Sequence, residues 1–105
     1  MAVRGSRDRR TESASLPAIV PFDVPHLSRL NWELGSRVIE GAPPVGNWRH
    51  TGRRWAISVF DVTDNTVVIR IRTSVGRERF YSAIRSELQS ALPELDSAAA
   101  WRPIE

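Results

Sequence analysis

The chain has 105 residues, of which 41% are apolar, and it carries a net charge of +3 and no cysteine. A chain of about 100 residues buries roughly 60–70% of its unfolded surface, so we expect one domain with one core and not a disordered chain. Disulfides and thiolate metal sites are excluded, and no apolar run approaches the roughly 20 residues that span a bilayer. The expected location is the cytoplasm.

Arginine supplies all fifteen Lys and Arg positions. Its planar guanidinium suits phosphate and carboxylate groups and stacks on aromatic rings. Residues 1–12 hold four arginines against two acids, whereas the rest of the chain holds eleven arginines and ten acids and is nearly neutral. The high isoelectric point therefore does not by itself indicate a nucleic-acid partner. Residues 1–15 are polar and lack a hydrophobic period, which predicts a disordered basic tail ahead of a single domain over 16–105.

A short helix is predicted over about 25–34. Leu27, Leu30 and Leu34 form one apolar stripe at helical spacing. Pro25 suits the first turn of a helix, and Gly35 suits the position just after its end.

The centre of the chain is predicted to be a β-hairpin with strands at about 55–62 and 66–73. Valine, isoleucine, phenylalanine, tryptophan and threonine crowd both runs, and these residues favour strands. Asp64 and Asn65 between the runs tolerate the backbone angles of a tight turn. The segment 48–50 is a candidate for a further strand ahead of the hairpin.

The length of the turn decides which side chains of the hairpin share a face. A two-residue turn places Phe60 opposite Ile69 on the core face and leaves Arg70 and Arg72 on the other face. We favour this register because it separates the two arginines from Phe60. The alternative, a three-residue loop, shifts the register by one and groups four aliphatic side chains: Ile57, Val59, Ile69 and Ile71.

A long C-terminal helix is predicted over about 75–92. Phe80, Ile84, Leu88 and Leu92 recur every four residues. Pro93 should end this helix or restart a short one, and the ring of Trp101 is expected to pack back on the domain. The elements together predict an α+β fold, in which a small antiparallel sheet built on the hairpin packs against this helix.

Basic and aromatic side chains concentrate around the start of the hairpin. The candidate binding residues are Trp48, Arg49, His50, Arg53, Arg54, Trp55, Arg70 and Arg72, with Arg77 and Arg79 nearby. Arginines bind phosphates and tryptophan rings stack on unpaired bases, so a sheet face of this kind favours RNA or single-strand binding. The competing interpretation is a solvated face whose arginines pair with acids such as Asp61 and Glu78.

No catalytic, metal or cofactor site is predicted. His26 and His50 lack the carboxylate-rich spacing of a metal set. Asp61 and Asp64 lie at a turn, where aspartate serves local hydrogen bonding.

The segment from Trp48 to Tyr81 resembles small ribosome-dependent ribonuclease toxins of the RelE/ParE type. The likeness rests on Trp48-Arg49, the hairpin and the Arg-rich residues 75–81. It implies a metal-independent ribonuclease in which Arg54, Arg72 or Arg79 holds the scissile phosphate and His50 or Tyr81 assists proton transfer. The chain departs from that family's pattern, because a proline-rich arm and one short helix replace the long N-terminal helical pair and the long helix follows the hairpin.

The first expectation for function is a small non-catalytic interaction or assembly protein, acting through a protein partner or by self-association. A small sheet with an unpaired edge, a proline-rich arm and a basic tail suit strand addition to a partner. Nucleic-acid binding and the RelE/ParE-like ribonuclease are the alternatives.

Overall fold

The computed structural model describes residues 14–104 and shows an α+β domain. In chain order its elements are β1 (Leu27–Leu30), α1 (Trp32–Val38), β2 (Gly46–His50), β3 (Ala56–Asp61), β4 (Thr66–Arg72), β5 (Glu78–Ile84), α2 (Arg85–Asp96) and β6 (Trp101–Pro103). The strands form one antiparallel sheet in the order β1-β5-β4-β3-β2-β6. A disordered tail is predicted for residues 1–15, and residues 1–13 of it lie outside the described residues.

The central hairpin is confirmed, but its favoured register is wrong. The amide of Val62 donates to the carbonyl of Thr66 at 3.1 Å, which closes a three-residue loop. Phe60 therefore lies opposite Val68, and Ile69 lies opposite Val59 on the other face. The longer loop prevails because it puts the aliphatic side chains of both strands on the face that α2 covers, where they gain the most from burial.

The helix predicted over 25–34 is wrong, because Leu27–Leu30 is a strand and α1 begins only after it. The side chain of Asn31 caps α1 by accepting from the amide of Leu34 at 2.7 Å. Gly35 lies inside the helix and not after its end. A Cβ at Gly35 would come within 2.2 Å of the Phe80 side chain, so the glycine lets the helix approach the sheet.

The long helix predicted over 75–92 is also wrong in its first half, which forms β5. This strand pairs with a neighbour on each side and buries both faces, so its sequence shows no simple alternation. The helix α2 starts directly at Arg85 without a side-chain cap, and it continues through Pro93 to Asp96. No capping residue or turn marked the boundary in the sequence.

The main core lies on the sheet face that carries Ile57, Ile69 and Tyr81. Residues 14–26 and the helix α2 cover this face, and they contribute Leu16, Val20, Phe22, Val24, Leu88, Ala91 and Leu95. The expected packing of Trp101 is confirmed: its ring is 3% exposed, and its indole nitrogen donates to the carbonyl of Ile19 at 3.2 Å.

The other sheet face is only partly covered. The helix α1 and the residues after it lie over one part, where Ile39, Phe60, Val68 and Phe80 form a second, smaller cluster. The remainder of this face carries Arg49, Arg70, Arg72 and Arg102, and we call it the arginine face. Within residues 14–104, neither helix is long and apolar enough to cross a membrane.

Candidate functional site: a basic end of the sheet

The order of the strands collects arginines at one end of the sheet. Loops 51–55 and 73–77 join β2 to β3 and β4 to β5, and both lie at this end because neighbouring strands are antiparallel. The strand β6 also begins there, since Trp101 pairs with His50. We define the basic end by the arginines on these loops and adjoining strand ends: Arg49, Arg53, Arg54, Arg72, Arg77, Arg79 and Arg102.

Within the described residues, Glu78 is the one acidic side chain on loops 51–55 and 73–77 and the strand ends that adjoin them. Its carboxylate accepts from Arg72 at 2.7 Å, lies 3.9 Å from Arg70 and accepts from the indole of Trp32 at 3.3 Å. The hydrogen bond from Arg72 lowers the pKa of Glu78 below the ordinary glutamate value. One carboxylate is thus shared by two arginines, and most of the positive charge at this end has no acidic partner among residues 14–104.

The opposite end of the sheet carries acids instead. Asp61 ends β3 and Asp64 lies in the following loop, where Arg85 makes an ion pair with Asp61 at 3.2 Å. The near-neutral composition of the domain therefore conceals a separation of charge, which the sequence did not reveal because it depends on strand order.

Cross-strand pairing arranges the arginine face in rows. The row nearest the basic end runs across five strands as Arg102, Arg49, Ala56, Arg72 and Glu78. At about 4.8 Å between strands, this row is about 19 Å long. Ala56, in the middle of the row, has a small side chain, so Arg49 and Arg72 stand on either side of a shallow depression.

The next row is a chain of hydrogen bonds. Arg70 donates to the Ser58 hydroxyl at 3.2 Å, and Ser58 donates to the Asn47 side-chain oxygen at 2.6 Å. The guanidinium carbon of Arg70 lies 5.2 Å from the centre of the Phe60 ring. Burial lowers the pKa of Arg70, the nearby charge of Arg72 lowers it further, and Glu78 opposes both effects.

His50 orders the loop that carries Arg53 and Arg54. Its Nδ1 accepts from the amides of Gly52 and Arg53 at 3.0 and 3.1 Å, so the ring proton of the neutral imidazole is on Nε2. The ring also meets Trp101 edge-on, with centroids 5.1 Å apart. The side chain of His50 therefore has a structural role in presenting the arginines of this loop.

The predicted tryptophans do not lie on the arginine face. Trp48 is buried in the main core, where its indole donates to Asp96 at 3.0 Å. Trp55 is half-buried beside Thr73, Arg77 and Arg79 on the other side of the sheet.

Sequence reasoning missed two residues of the site, Trp32 and Arg102. Trp32 is 60% exposed and is tied to the arginine face through Glu78. The sequence pattern predicts Trp32 near the end of a helix over about 25–34, whereas it is the first residue of α1 in the structure. Arg102 joins Arg49 only through the pairing of β6 with β2, for which the sequence carries no local signal.

The residues that the ribonuclease interpretation requires do not converge. Tyr81 is 1% exposed within the main core. Arg72 points to the opposite sheet face from Tyr81, and His50 lies on β2, three strands away from β5. Burial within the main core removes Tyr81 from contact with a substrate.

No group of three or more His, Asp or Glu side chains suited to a metal ion occurs among the described residues. Comparison of the chain with protein-family models, curated proteins and solved structures found no match to any of them.

Proposed function

We propose that this protein binds single-stranded nucleic acid, RNA or DNA, without catalysis, through the basic end and the arginine face. The observation that carries the proposal is the gathering of seven arginines at one end of the sheet, where Arg72 alone among them forms an ion pair with a carboxylate of residues 14–104. Backbone phosphates are the partners that such a surface attracts most strongly, since each neutralised phosphate releases condensed counterions. A cytoplasmic location accords with this function.

The shape of the site favours a single strand over a duplex. The arginine face is an open, shallow surface with Ala56 and Ser58 on its floor, and Trp32 stands exposed at its side. Unpaired bases stack on such aromatic rings, whereas the bases of a duplex are already stacked on one another. Trp32 is held in place by Glu78, which fixes the ring without covering it.

The internal pairing of Arg70 and Arg72 weakens these two residues as ligands but leaves the others available. Arg70 is 23% exposed and bonded to Ser58, and Arg72 is 49% exposed and bonded to Glu78. No ion pair joins Arg49, Arg53 or Arg54 to a carboxylate among residues 14–104. We therefore expect the loop arginines and Arg49 to supply most of the affinity.

The experiment is a binding titration of labelled 12-nucleotide single strands and of the matching duplex. The test variant is Arg53→Gln/Arg54→Gln, and the matched control is Arg29→Gln/Arg37→Gln, which removes the same charge outside the basic end. We expect the test variant to lose at least about tenfold in affinity and the control to lose little. Equal losses in both variants, or equal binding of polyglutamate and the oligonucleotide, would show only unspecific charge attraction and refute the proposal.

A second candidate function, association with a protein partner or with a second copy of the chain, rests on the helix α1. Three apolar side chains on this short helix remain exposed: Trp32 at 60%, Leu34 at 46% and Val38 at 39%. Leu34 and Val38 lie one turn apart, so they form one small patch. Light scattering measures the mass in solution, and a dimer that Leu34→Gln/Val38→Gln dissociates would support self-association.

Strand addition at a sheet edge has less support. The edge strands β1 and β6 have only four and three residues, and in β1 the carbonyl of Leu27 already accepts a hydrogen bond from the amide of Ala14. Short and covered edges discourage pairing with another strand.

A further inference from the structure

Two arginines face each other in the pairing of β2 with β6. Arg49 and Arg102 are direct cross-strand partners, and both side chains are exposed on the arginine face. Like charges placed directly opposite each other destabilise a sheet. No carboxylate of residues 14–104 forms an ion pair with either one, so the described part of the chain does not relieve this repulsion.

The two arginines line a cavity of about 480 Å³ at this edge of the sheet. Its other lining residues among 14–104 are His50, Thr51, Pro103 and Ile104, and none of these is acidic. The arginines bring only donors, and Thr51 adds a hydroxyl. A site of this composition complements an anion with several acceptor oxygens.

We propose that Arg49 and Arg102 form a subsite for a phosphate monoester, the terminal phosphate of a bound strand. A monoester carries about −1.5 to −2 charges at pH 7, which matches two guanidinium groups, whereas an internal phosphodiester carries about one. Planar guanidinium groups also bind phosphate oxygens in a bidentate manner. The position of Arg49 and Arg102 suits the end of a bound nucleic-acid strand and not its middle, because β6 is the last β-strand in the row that runs from Arg72 through Arg49. This inference rests on the proposed function for the strand, but the phosphate chemistry can be tested without it.

The test compares 12-nucleotide single strands with a 5′-phosphate, with a 3′-phosphate and with neither. A 13-nucleotide strand without a terminal phosphate controls for added charge. We expect the wild-type chain to bind one terminally phosphorylated strand about tenfold more tightly than the 13-nucleotide control, as one charge-assisted contact would give. Arg102→Gln and Arg49→Gln should each abolish this preference, whereas Arg29→Gln should keep it. Equal binding of all strands by the wild-type chain, or a preference that survives both variants, would overturn the inference.

Failure of the subsite and failure of the proposed function give different results. If unphosphorylated strands bind but phosphorylation has no effect, only the subsite is refuted. If no strand binds, the proposed function is refuted, and inorganic phosphate and a nucleoside monophosphate become the probes in thermal unfolding. Stabilisation by either probe that requires Arg102 would then support a subsite for a free phosphate monoester, and no stabilisation would refute it.

Discussion

The salt dependence of binding provides a quantitative test of the basic end. The change is an increase in NaCl from 50 to 200 mM, with a labelled single strand followed by fluorescence anisotropy. Seven arginines, of which one is compensated by Glu78, allow about six phosphate contacts. For single strands the logarithm of the binding constant falls with the logarithm of salt at about 0.7 per contact, which gives a slope of about −4. Binding should therefore weaken about 300-fold over this fourfold change in salt.

The variants make the salt prediction specific to the basic end. Replacing one arginine there, for example Arg54→Gln, should make the slope shallower by about 0.7, and Arg29→Gln should leave it unchanged. A wild-type slope near zero, or the same change of slope in both variants, would show that the arginines of the basic end do not hold phosphates.

Three further predictions concern stability. Gly35→Ala should destabilise the fold by about 1–3 kcal/mol in urea unfolding, because the new methyl group overlaps Phe80. The control is Gly52→Ala, whose Cβ meets nothing closer than 3.6 Å, and equal urea midpoints for the two variants would contradict the packing of α1. Glu78→Gln should cost about 1 kcal/mol near pH 7 through the weakened bond from Arg72. Because folding lowers the pKa of Glu78, the stability that its carboxylate contributes is complete above the ordinary pKa of a glutamate and is lost as the pH falls through the lowered value. The urea midpoints of the wild type and of Glu78→Gln should therefore converge in acid, and a difference that stays constant with pH would refute this contribution. Arg102→Gln should raise the stability of the free protein by about 0.2–1 kcal/mol, and this gain should fade in high salt; a destabilised variant would argue against repulsion from its opposed arginine.

Local patterns in the sequence located the central hairpin but not its neighbours. Strands β3 and β4 are rich in β-branched residues and flank a polar turn, so their bounds were predictable. The strand β5 was mistaken for a helix because both its faces are buried and its apolar residues continue the period of α2. A short buried run does not by itself distinguish a strand from a helix.

The candidate site was predictable in composition but not in geometry. Four of the eight predicted binding residues belong to the basic end, and Arg70 lies one row inward on the arginine face. Trp48 belongs to the core instead, because the register of β2 with β3 turns it toward α2. Residues far apart in the sequence, such as Arg49 and Arg102, meet only through sheet order, which depends on the whole core and not on any local pattern.

The segment 14–26 has a consequence for how the domain opens. It covers the main core with apolar side chains, yet it is neither helix nor strand, and its ties to the rest of the chain include the hydrogen bonds from Trp101 to Ile19 and from Ala14 to Leu27. Segments with few backbone hydrogen bonds open locally at lower free energy than a central sheet. If this segment detaches, the part of the main core that α2 does not cover becomes accessible while the sheet itself stays paired. Hydrogen exchange in 14–26 should thus be faster than in β4, and the partly open form would be the species most prone to aggregate.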